Sequence, residues 1–241
     1  MLFTLILCFD MKSHYWETRE SMTPGKALSF LHEGNERFTN NLRINRNFLQ
    51  TVDDTAERQF PFATILSCSD SRVSPTLIFD QGLGDIFSIR LAGNIASNNA
   101  IGSMEYACAA LGSKLIVVLG HTNCGAVKGT CDDISFGHMN EMFEHIRLAM
   151  KREADTPPSE RNSKNHQFVN LVAELNVQRN MEVIVESSFI IRELIENEEI
   201  DLVGAMYSVE TGKVTFLKTN GRDIMDSLFV SPVYQQLDYA K

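Results

Sequence analysis

The fold of this chain is decided by two short runs of sequence, Cys68-Ser69-Asp70-Ser71-Arg72 and His121-Thr122-Asn123-Cys124-Gly125. Each run follows a short apolar segment, residues 62–67 before the first and residues 114–119 before the second. Apolar segments of this length are typical of buried parallel strands. In open α/β sheets, functional sites form at the carboxyl ends of such strands, where helices leave for opposite faces. We therefore expect the two runs to meet at one edge of a parallel sheet.

The remaining sequence predicts an α/β domain around these strands. Further strands are predicted at residues 86–91, 201–209 and 214–217, and Gly212 marks a hairpin turn between the last two. Helical patterns cover residues 24–40, 75–81, 97–111, 124–130, 138–150 and 166–197. Residues 40–58 are predicted to be a polar loop that can include a helical turn, and residues 151–165 are predicted to be a loop. This alternation predicts a mostly parallel central sheet with an antiparallel edge strand, flanked by helices.

The composition is that of a soluble globular protein. Of the 241 residues, 44% are apolar and 22% are charged, which excludes a disordered or fibrous chain. There are 22 Lys and Arg residues against 31 Asp and Glu residues, and the resulting net charge of −9 argues against nucleic acid or an anionic membrane as partner. The five cysteines are an odd number, so they do not fit a disulfide framework and instead suit a reducing compartment.

The N-terminus carries an apolar run at residues 1–9. This run is shorter than the ~20 residues that span a bilayer, and it lacks the basic region and cleavage site of a secretory signal. We interpret residues 1–22 as an N-terminal tail, with Met11 and Met22 as alternative start positions. Residues 23–241 are expected to form one domain, and the protein is expected to be cytoplasmic.

The residue types of the two runs suit zinc. Thiolate and imidazole are preferred zinc ligands, and two cysteines with one histidine leave a fourth position for water or substrate. His121 and Cys124 form an H-x-x-C pair on one turn, and Cys68 follows the neighbouring strand. Either run alone is a weak signal, because a lone cysteine at a strand end is commonly buried filler. Their equivalent topological positions favour one zinc ion per chain.

Asp70 and Arg72 share the turn of Cys68 and allow two interpretations. They form either an exposed ion pair, which contributes little to stability, or a dyad in which Arg72 keeps the Asp70 carboxylate ionised and fixed in direction. In the second case Asp70 accepts a hydrogen bond from zinc-bound water or hydroxide and orients it. If Arg72 released it, Asp70 could become the fourth zinc ligand and close the site.

The charge of such a site predicts its pH dependence. Zn²⁺ with two thiolates and one neutral imidazole carries no net charge. Its bound water should therefore be less acidic than water on a three-histidine site, where the pKa is about 7. We predict an activity that rises toward alkaline pH.

Both runs resemble the zinc-site motifs of the β-class carbonic anhydrases, and the likeness extends from about Thr23 to Leu217. Other segments that resemble this family are residues 79–85, 90–94, 102–107 and 201–207. The resemblance implies reversible hydration of CO₂ to bicarbonate and a proton by a zinc-bound hydroxide. It also implies zinc on Cys68, His121 and Cys124, with Asp70 and Arg72 as the gating and orienting dyad.

The active-site pattern is similar to that of the plant-type branch of the family. By this likeness Gln59 donates a hydrogen bond to the substrate oxygen, and Phe87 and Tyr106 line the apolar pocket for CO₂. The sequence alone would favour ordinary core packing for Phe87 and Tyr106. The backbone N–H of Gly125, at a helix start, would bind a bicarbonate oxygen.

The family also implies a homodimer or a dimer of dimers. An N-terminal helical arm, the helix predicted at residues 24–40, would lie across the partner. Gln59 and Tyr106 would then reach the partner's site.

Other functions remain as alternatives. The same scaffold could hydrolyse COS or CS₂, which depends on access to the pocket. A non-catalytic zinc- or bicarbonate-binding protein is disfavoured because Asp70 and Arg72 are both present. An enzyme with Cys68 or Cys124 as nucleophile would need a free thiolate. Of the other cysteines, Cys108 is expected in the core, and Cys131 and Cys8 have no assigned role.

Overall fold

The structure is a computed structural model that describes residues 21–229. Its helices are α1 (Pro24–Thr39), α2 (Phe48–Thr55), α3 (Pro75–Ile78), α4 (Asn98–Glu105), α5 (Gly125–Cys131), α6 (Met139–Met150), α7 (His166–Ser187), α8 (Phe189–Glu196) and α9 (Gly221–Phe229). Its strands are β1 (Ala63–Ser67), β2 (Ile86–Arg90), β3 (Leu115–His121), β4 (Asp201–Tyr207) and β5 (Val214–Asn220). The expectations for Cys8 and for nearly all of the tail at residues 1–22 lie outside the described residues.

The strands form one five-stranded sheet in the order β2-β1-β3-β4-β5. The pairs β1–β2, β1–β3 and β3–β4 are parallel, and β5 lies antiparallel to β4 at one edge. The predicted α/β fold with its antiparallel edge strand is thus confirmed. Every residue of β1 and β3 is buried, as their continuous apolar sequence predicts. Ser67 pairs with Leu119, so the residues that follow β1 lie beside the end of β3.

Helices cover both faces of the sheet. On one face, Ala27 and Leu31 of α1 pack with Ile78 of α3 against β1 and β3. On the other, Val177 and Met181 of α7 belong to the core that includes β3 and β4.

The close approach of α7 to the sheet depends on glycine. A Cβ at Gly120 of β3 would lie 2.5 Å from Val177 Cγ2, and a Cβ at Gly204 of β4 would lie 2.8 Å from Met181 Sδ. Both distances are too short for real contacts, so larger residues at Gly120 or Gly204 would push α7 away.

Three helical segments differ from prediction. The helix predicted over residues 166–197 is interrupted at Ser188, whose hydroxyl accepts from Ile191 N at 3.1 Å and caps α8. Residues 48–55 lie in the predicted loop that allowed a helical turn, and they form the two-turn helix α2, which Asn47 caps by accepting from Gln50 N through its Oδ1. The helix predicted over residues 97–111 continues beyond α4 as a π-helical turn, Tyr106–Ala110.

The C-terminal part of the described chain contains a helix that was not predicted. α9 follows β5 directly, and β5 extends to Asn220 rather than Leu217. Asn220 and Asp223 exchange backbone-to-side-chain hydrogen bonds of 3.0 Å at this junction. Ile224 and Met225 then bury one face of α9 in the core beside α7 and α8.

The loop at residues 151–165 is organised around a buried carboxylate. Glu153 is 6% exposed, and its Oε1 accepts from Asp155 N and Thr156 N at 3.0 and 2.8 Å. Arg161 forms an ion pair of 2.9 Å with Glu153 Oε2.

Among residues 21–229, no helix combines the length and apolar character needed to cross a bilayer.

Candidate metal centre

Three metal-ligating side chains meet at the carboxyl edge of the sheet. Cys68 follows β1, His121 ends β3, and Cys124 caps the start of α5. Their candidate ligand atoms lie within 4.8 Å of one another, and all three residues are buried. The turn between His121 and Cys124 is tight because Asn123 adopts a left-handed φ of 59°, which asparagine tolerates better than most residues.

The imidazole of His121 is arranged as a metal ligand. Its Nδ1 lies 2.9 Å from the carbonyl oxygen of Thr122. Because a carbonyl only accepts hydrogen bonds, Nδ1 is the protonated nitrogen, and Nε2 is the nitrogen that offers a lone pair in the neutral imidazole that binds metals. That Nε2 is buried and has no hydrogen-bond partner among the described residues. A metal ion between the two cysteines would satisfy it, so the donor set fits zinc.

The two sulfurs share a strong mutual interaction. A hydrogen bond from Cys124 lowers the pKa of Cys68 to about 4, against the opposing effect of burial. The same bond, together with burial, raises the pKa of Cys124 well above its ordinary value. Gly93 N also donates to Cys68 Sγ at 3.4 Å. Cys68 is therefore a ready thiolate, and a divalent cation would take the place of the proton on Cys124.

Asp70 and Arg72 form a two-pronged ion pair beside this cluster. Arg72 Nε lies 2.9 Å from Asp70 Oδ1, and Nη2 lies 2.8 Å from Oδ2. The backbone N–H of Arg72 also donates to Oδ1. The side-chain hydrogen bonds from Arg72 are the main cause that holds the pKa of Asp70 well below its usual range. The carboxylate is thus ionised and has a fixed direction.

Three of the predicted substrate residues, Gln59, Phe87 and Tyr106, lie in or beside a surface cavity, whereas Gly125 adjoins Cys124. Gln59 and Tyr106 line a surface cavity of about 400 Å³, together with Glu57, Arg58, Phe60, Ala110 and Leu111. The ring of Phe87 lies 6.3 Å from that of Tyr106. Tyr106 is 53% exposed, so core packing does not account for it. The lining of this cavity includes none of the three cluster residues.

Gly125 is the first residue of α5 and directly follows Cys124. A Cβ placed at this glycine would meet nothing within 4 Å, so open space adjoins it.

Two side chains around the cluster were not identified from the sequence. Arg90, at the end of β2, donates to the carbonyl oxygens of Cys68 and Asp70 at 3.3 and 2.7 Å. Asn170 of α7 accepts from Asn123 N at 3.0 Å. Arg90 could have been identified from the register of β1 and β2, because Arg90 pairs with Ser67, the residue before Cys68. A single asparagine in a helix gives no comparable signal.

The cysteines outside the cluster are buried. Burial raises the pKa of Cys108 to about 12 and that of Cys131 to about 11. Cys108 lies in the core, as predicted. All four cysteines in the described residues are free thiols.

Comparison with known proteins gives a consistent result. The family model described as carbonic anhydrase matches residues 63–214. Carbonic anhydrase 2 of Mycobacterium tuberculosis is 35% identical over 193 residues, which cover 79% of this chain and 91% of that protein. The carbonic anhydrase of Mycolicibacterium smegmatis is 41% identical over 123 residues, 50% of this chain and 59% of that protein.

Two solved structures are similar to the fold. The Coccomyxa β-carbonic anhydrase in complex with acetazolamide has a TM-score of 0.67 and 25% identity, and the match covers 88% of this chain and 97% of that one. A tetrameric β-carbonic anhydrase of Sordaria macrospora has a TM-score of 0.61 and 25% identity, with coverage of 81% and 97%.

Proposed function

Because this chain belongs to the β-class carbonic anhydrase family, we propose that it catalyses the reversible hydration of CO₂ to bicarbonate and a proton. The observation that carries the proposal is the buried cluster of Cys68, His121 and Cys124, whose donors fit one zinc ion. Zn²⁺ held by these residues would lower the pKa of a bound water molecule and so supply a nucleophile.

The dyad orients the nucleophile. Because Arg72 keeps Asp70 ionised, the carboxylate only accepts hydrogen bonds. A hydroxyl that donated a hydrogen bond to Asp70 would keep its proton and would have a lone pair of its oxygen free to face CO₂. Arg72 also binds both carboxylate oxygens of Asp70. As long as these hydrogen bonds persist, Asp70 does not become a fourth zinc ligand.

Substrate binding is assigned to Gln59, Phe87, Tyr106 and Gly125. The Gln59 amide would donate to a substrate oxygen, and the backbone N–H of Gly125 would donate to bicarbonate. Phe87 and Tyr106 would provide the apolar wall, which suits a neutral molecule.

The assembly is a homodimer or a dimer of dimers. Gln59 and Tyr106 line a cavity without the zinc ligands, which supports a role for them in the partner's site. The segment from the end of α1 through α2 exposes apolar side chains, and these support a subunit contact: Leu42, Phe48, Leu49 and Val52. The Sordaria relative is described as tetrameric.

We further propose a cytoplasmic protein in which residues 23–241 form one domain with the N-terminal helix α1 as its dimerisation arm. The free thiols at Cys108 and Cys131 suit a reducing compartment.

The test is stopped-flow CO₂ hydration by zinc-loaded protein from about pH 6.5 to 9, beside Asp70→Ala. The wild-type rate should rise with pH because the site carries two thiolates, and Asp70→Ala should lose most activity. Absence of hydration at pH 9 contradicts the proposal. Turnover of COS or CS₂ in place of CO₂ would instead identify the alternative hydrolase.

A further inference from the structure

Helix α7 contains three asparagines that bind backbone groups outside the helix. Asparagine is a weak helix former, yet Asn176 and Asn180 are buried inside α7, at 1% and 4% exposure. Buried amides of this kind are stable only when their donors and acceptors find partners.

The partners of Asn176 and Asn180 lie in the segment between β2 and α4. Asn176 Nδ2 donates to Gly93 O at 2.9 Å, and Asn180 Oδ1 accepts from Ala96 N at 2.7 Å. Asn180 Nδ2 donates to Asn176 O and Oδ1 at 2.7 and 3.1 Å. Since Gly93 O only accepts and Ala96 N only donates, the orientation of both amides is fixed.

The segment held by these amides has an uncommon backbone conformation. Gly93 and Asn94 are both left-handed, with φ of 70° and 47°. The left-handed φ favours glycine at position 93, and a Cβ there would lie 2.8 Å from Ile146 Cδ1, so the Ile146 side chain would have to move. This conformation directs the backbone N–H of Gly93 at the cluster, and Gly93 N donates to Cys68 Sγ at 3.4 Å.

We propose that Asn176, supported by Asn180, is a positioning residue for the zinc ligand Cys68. The assignment rests on the proposed zinc site. Asn176 holds the carbonyl side of Gly93, and Gly93 thereby keeps its N–H directed at the sulfur. A hydrogen bond to a thiolate withdraws electron density from it and weakens its donation to the metal. In a site with two thiolates, that effect keeps the metal more electrophilic.

The same helix also fixes the second ligand turn. Asn170 Oδ1 accepts from Asn123 N, between His121 and Cys124. Helix α7 thus sets the position of both turns relative to each other, and its closeness to β3 and β4 depends on Gly120 and Gly204.

The experiment compares wild type, Asn176→Leu and Ile184→Ala in zinc-loaded and cobalt-substituted form. Asn176→Leu keeps the size of the side chain and removes its hydrogen bonds. Ile184→Ala removes an equally buried side chain from the same helix that forms no hydrogen bond with the Gly93 segment, and it controls for general destabilisation. The readouts are the thiolate-to-Co²⁺ charge-transfer absorption, kcat and KM.

In Asn176→Leu we expect the charge-transfer band to move to longer wavelength, because the sulfur becomes a stronger donor. We expect kcat to fall about 10-fold with KM for CO₂ unchanged. Ile184→Ala should lower the melting temperature and leave the band in place. An unchanged band in Asn176→Leu, or the same shift in Ile184→Ala, overturns the inference.

A second variant, Asn176→Ser, keeps the inference testable if Asn176→Leu does not fold. Asn176→Ser has a shorter side chain that retains a hydroxyl for Asn180, and the same band shift is expected from it. If wild-type protein with Co²⁺ showed no thiolate charge transfer, the zinc site itself would be wrong and this inference with it. That result is distinct from a normal wild-type band that Asn176→Leu and Asn176→Ser leave unchanged.

Discussion

Arg72 binds both oxygens of the Asp70 carboxylate, with Nε 2.9 Å from Oδ1 and Nη2 2.8 Å from Oδ2. The Arg72 side chain is 49% exposed, and exposed ion pairs contribute little to stability. Two parallel hydrogen bonds do, however, fix the plane of the carboxylate. This geometry supports the proposed role of the pair in orienting a reacting group more than a role in stabilising the fold.

We predict that Arg72→Lys lowers kcat/KM for CO₂ hydration by roughly 10- to 100-fold. A lysine retains the charge but cannot form the two parallel bonds, so Asp70 loses its fixed direction. The free energy of unfolding should change by less than about 1 kcal/mol. Stopped-flow assays and urea denaturation measure the two effects.

The matched control is Arg147→Lys, since Arg147 pairs with the exposed Asp133 away from the cluster. It should leave activity unchanged. Wild-type activity in Arg72→Lys would mean that the dyad has no orienting role.

Metal removal should abolish activity while the protein stays folded. The two cores that cover the faces of the sheet do not include the cluster, and only a third, smaller core between α5, α6 and α7 contains Cys68 and Cys124. Dialysis against a zinc chelator should therefore leave the far-ultraviolet circular dichroism intact and lower the melting temperature. Added Zn²⁺ should restore hydration, with one ion per chain by atomic absorption. Full activity of the metal-free protein would refute the zinc mechanism.

Thiol reactivity should separate the cysteines. In metal-free protein, Cys68 should react first with iodoacetamide at pH about 7, because its pKa is lowered to about 4 and the thiolate is the nucleophile. Cys108 and Cys131 should stay unmodified, because burial raises their pKa values to about 12 and 11. Bound zinc should protect Cys68. Peptide mapping by mass spectrometry gives the order, and early modification of Cys108 would contradict it.

The cluster of Cys68, His121 and Cys124 could be predicted because its residues lie in contiguous runs directly after apolar strands. The β-strand pattern determines where those runs end, so sequence position translates into spatial position. Arg90 and Asn176 could not be predicted in this way. Each reaches a backbone carbonyl from a separate element, and the contact depends on sheet register and on how closely α7 approaches.

The errors in secondary structure also have physical causes. The apolar pattern continues across Ser188, so periodicity alone did not reveal the cap that divides α7 from α8. α9 starts with Gly221, a weak helix former, and depends on packing against the core. A local capping hydrogen bond thus decides the first case, and tertiary packing decides the second.

The buried carboxylate of Asp80 should contribute to acid stability. Burial opposes its ionisation, but hydrogen bonds from Arg37 and Arg46 outweigh this effect and hold its pKa below the usual value. A carboxyl with a lowered pKa stabilises the fold above its unfolded pKa of about 3.9. That stability is lost as pH falls toward the folded value.

We therefore expect Asp80→Asn to lower the free energy of unfolding by about 2–4 kcal/mol at neutral pH. The difference from wild type should shrink below about pH 4. Urea titrations at several pH values measure it. Asp133→Asn, in an exposed pair that is 84% accessible at Asp133, is the control and should cost less than about 1 kcal/mol. Equal losses of unfolding free energy in both variants would show that the buried carboxylate of Asp80 stabilises the fold no more than an exposed one.

The last prediction concerns the exposed apolar surface of α2. Leu49 is 79% exposed, and Val52 and Phe48 are about half exposed on the same short helix. Exposed apolar clusters of this kind commonly mark subunit contacts. Leu49→Lys should therefore shift the protein toward monomer in sedimentation velocity, and the exposed Leu148 of α6 offers the matched control Leu148→Lys. If Gln59 and Tyr106 serve the partner's site, the Leu49→Lys monomer should also lose activity while retaining one zinc per chain. A fully active monomer would place the substrate-binding residues within one subunit.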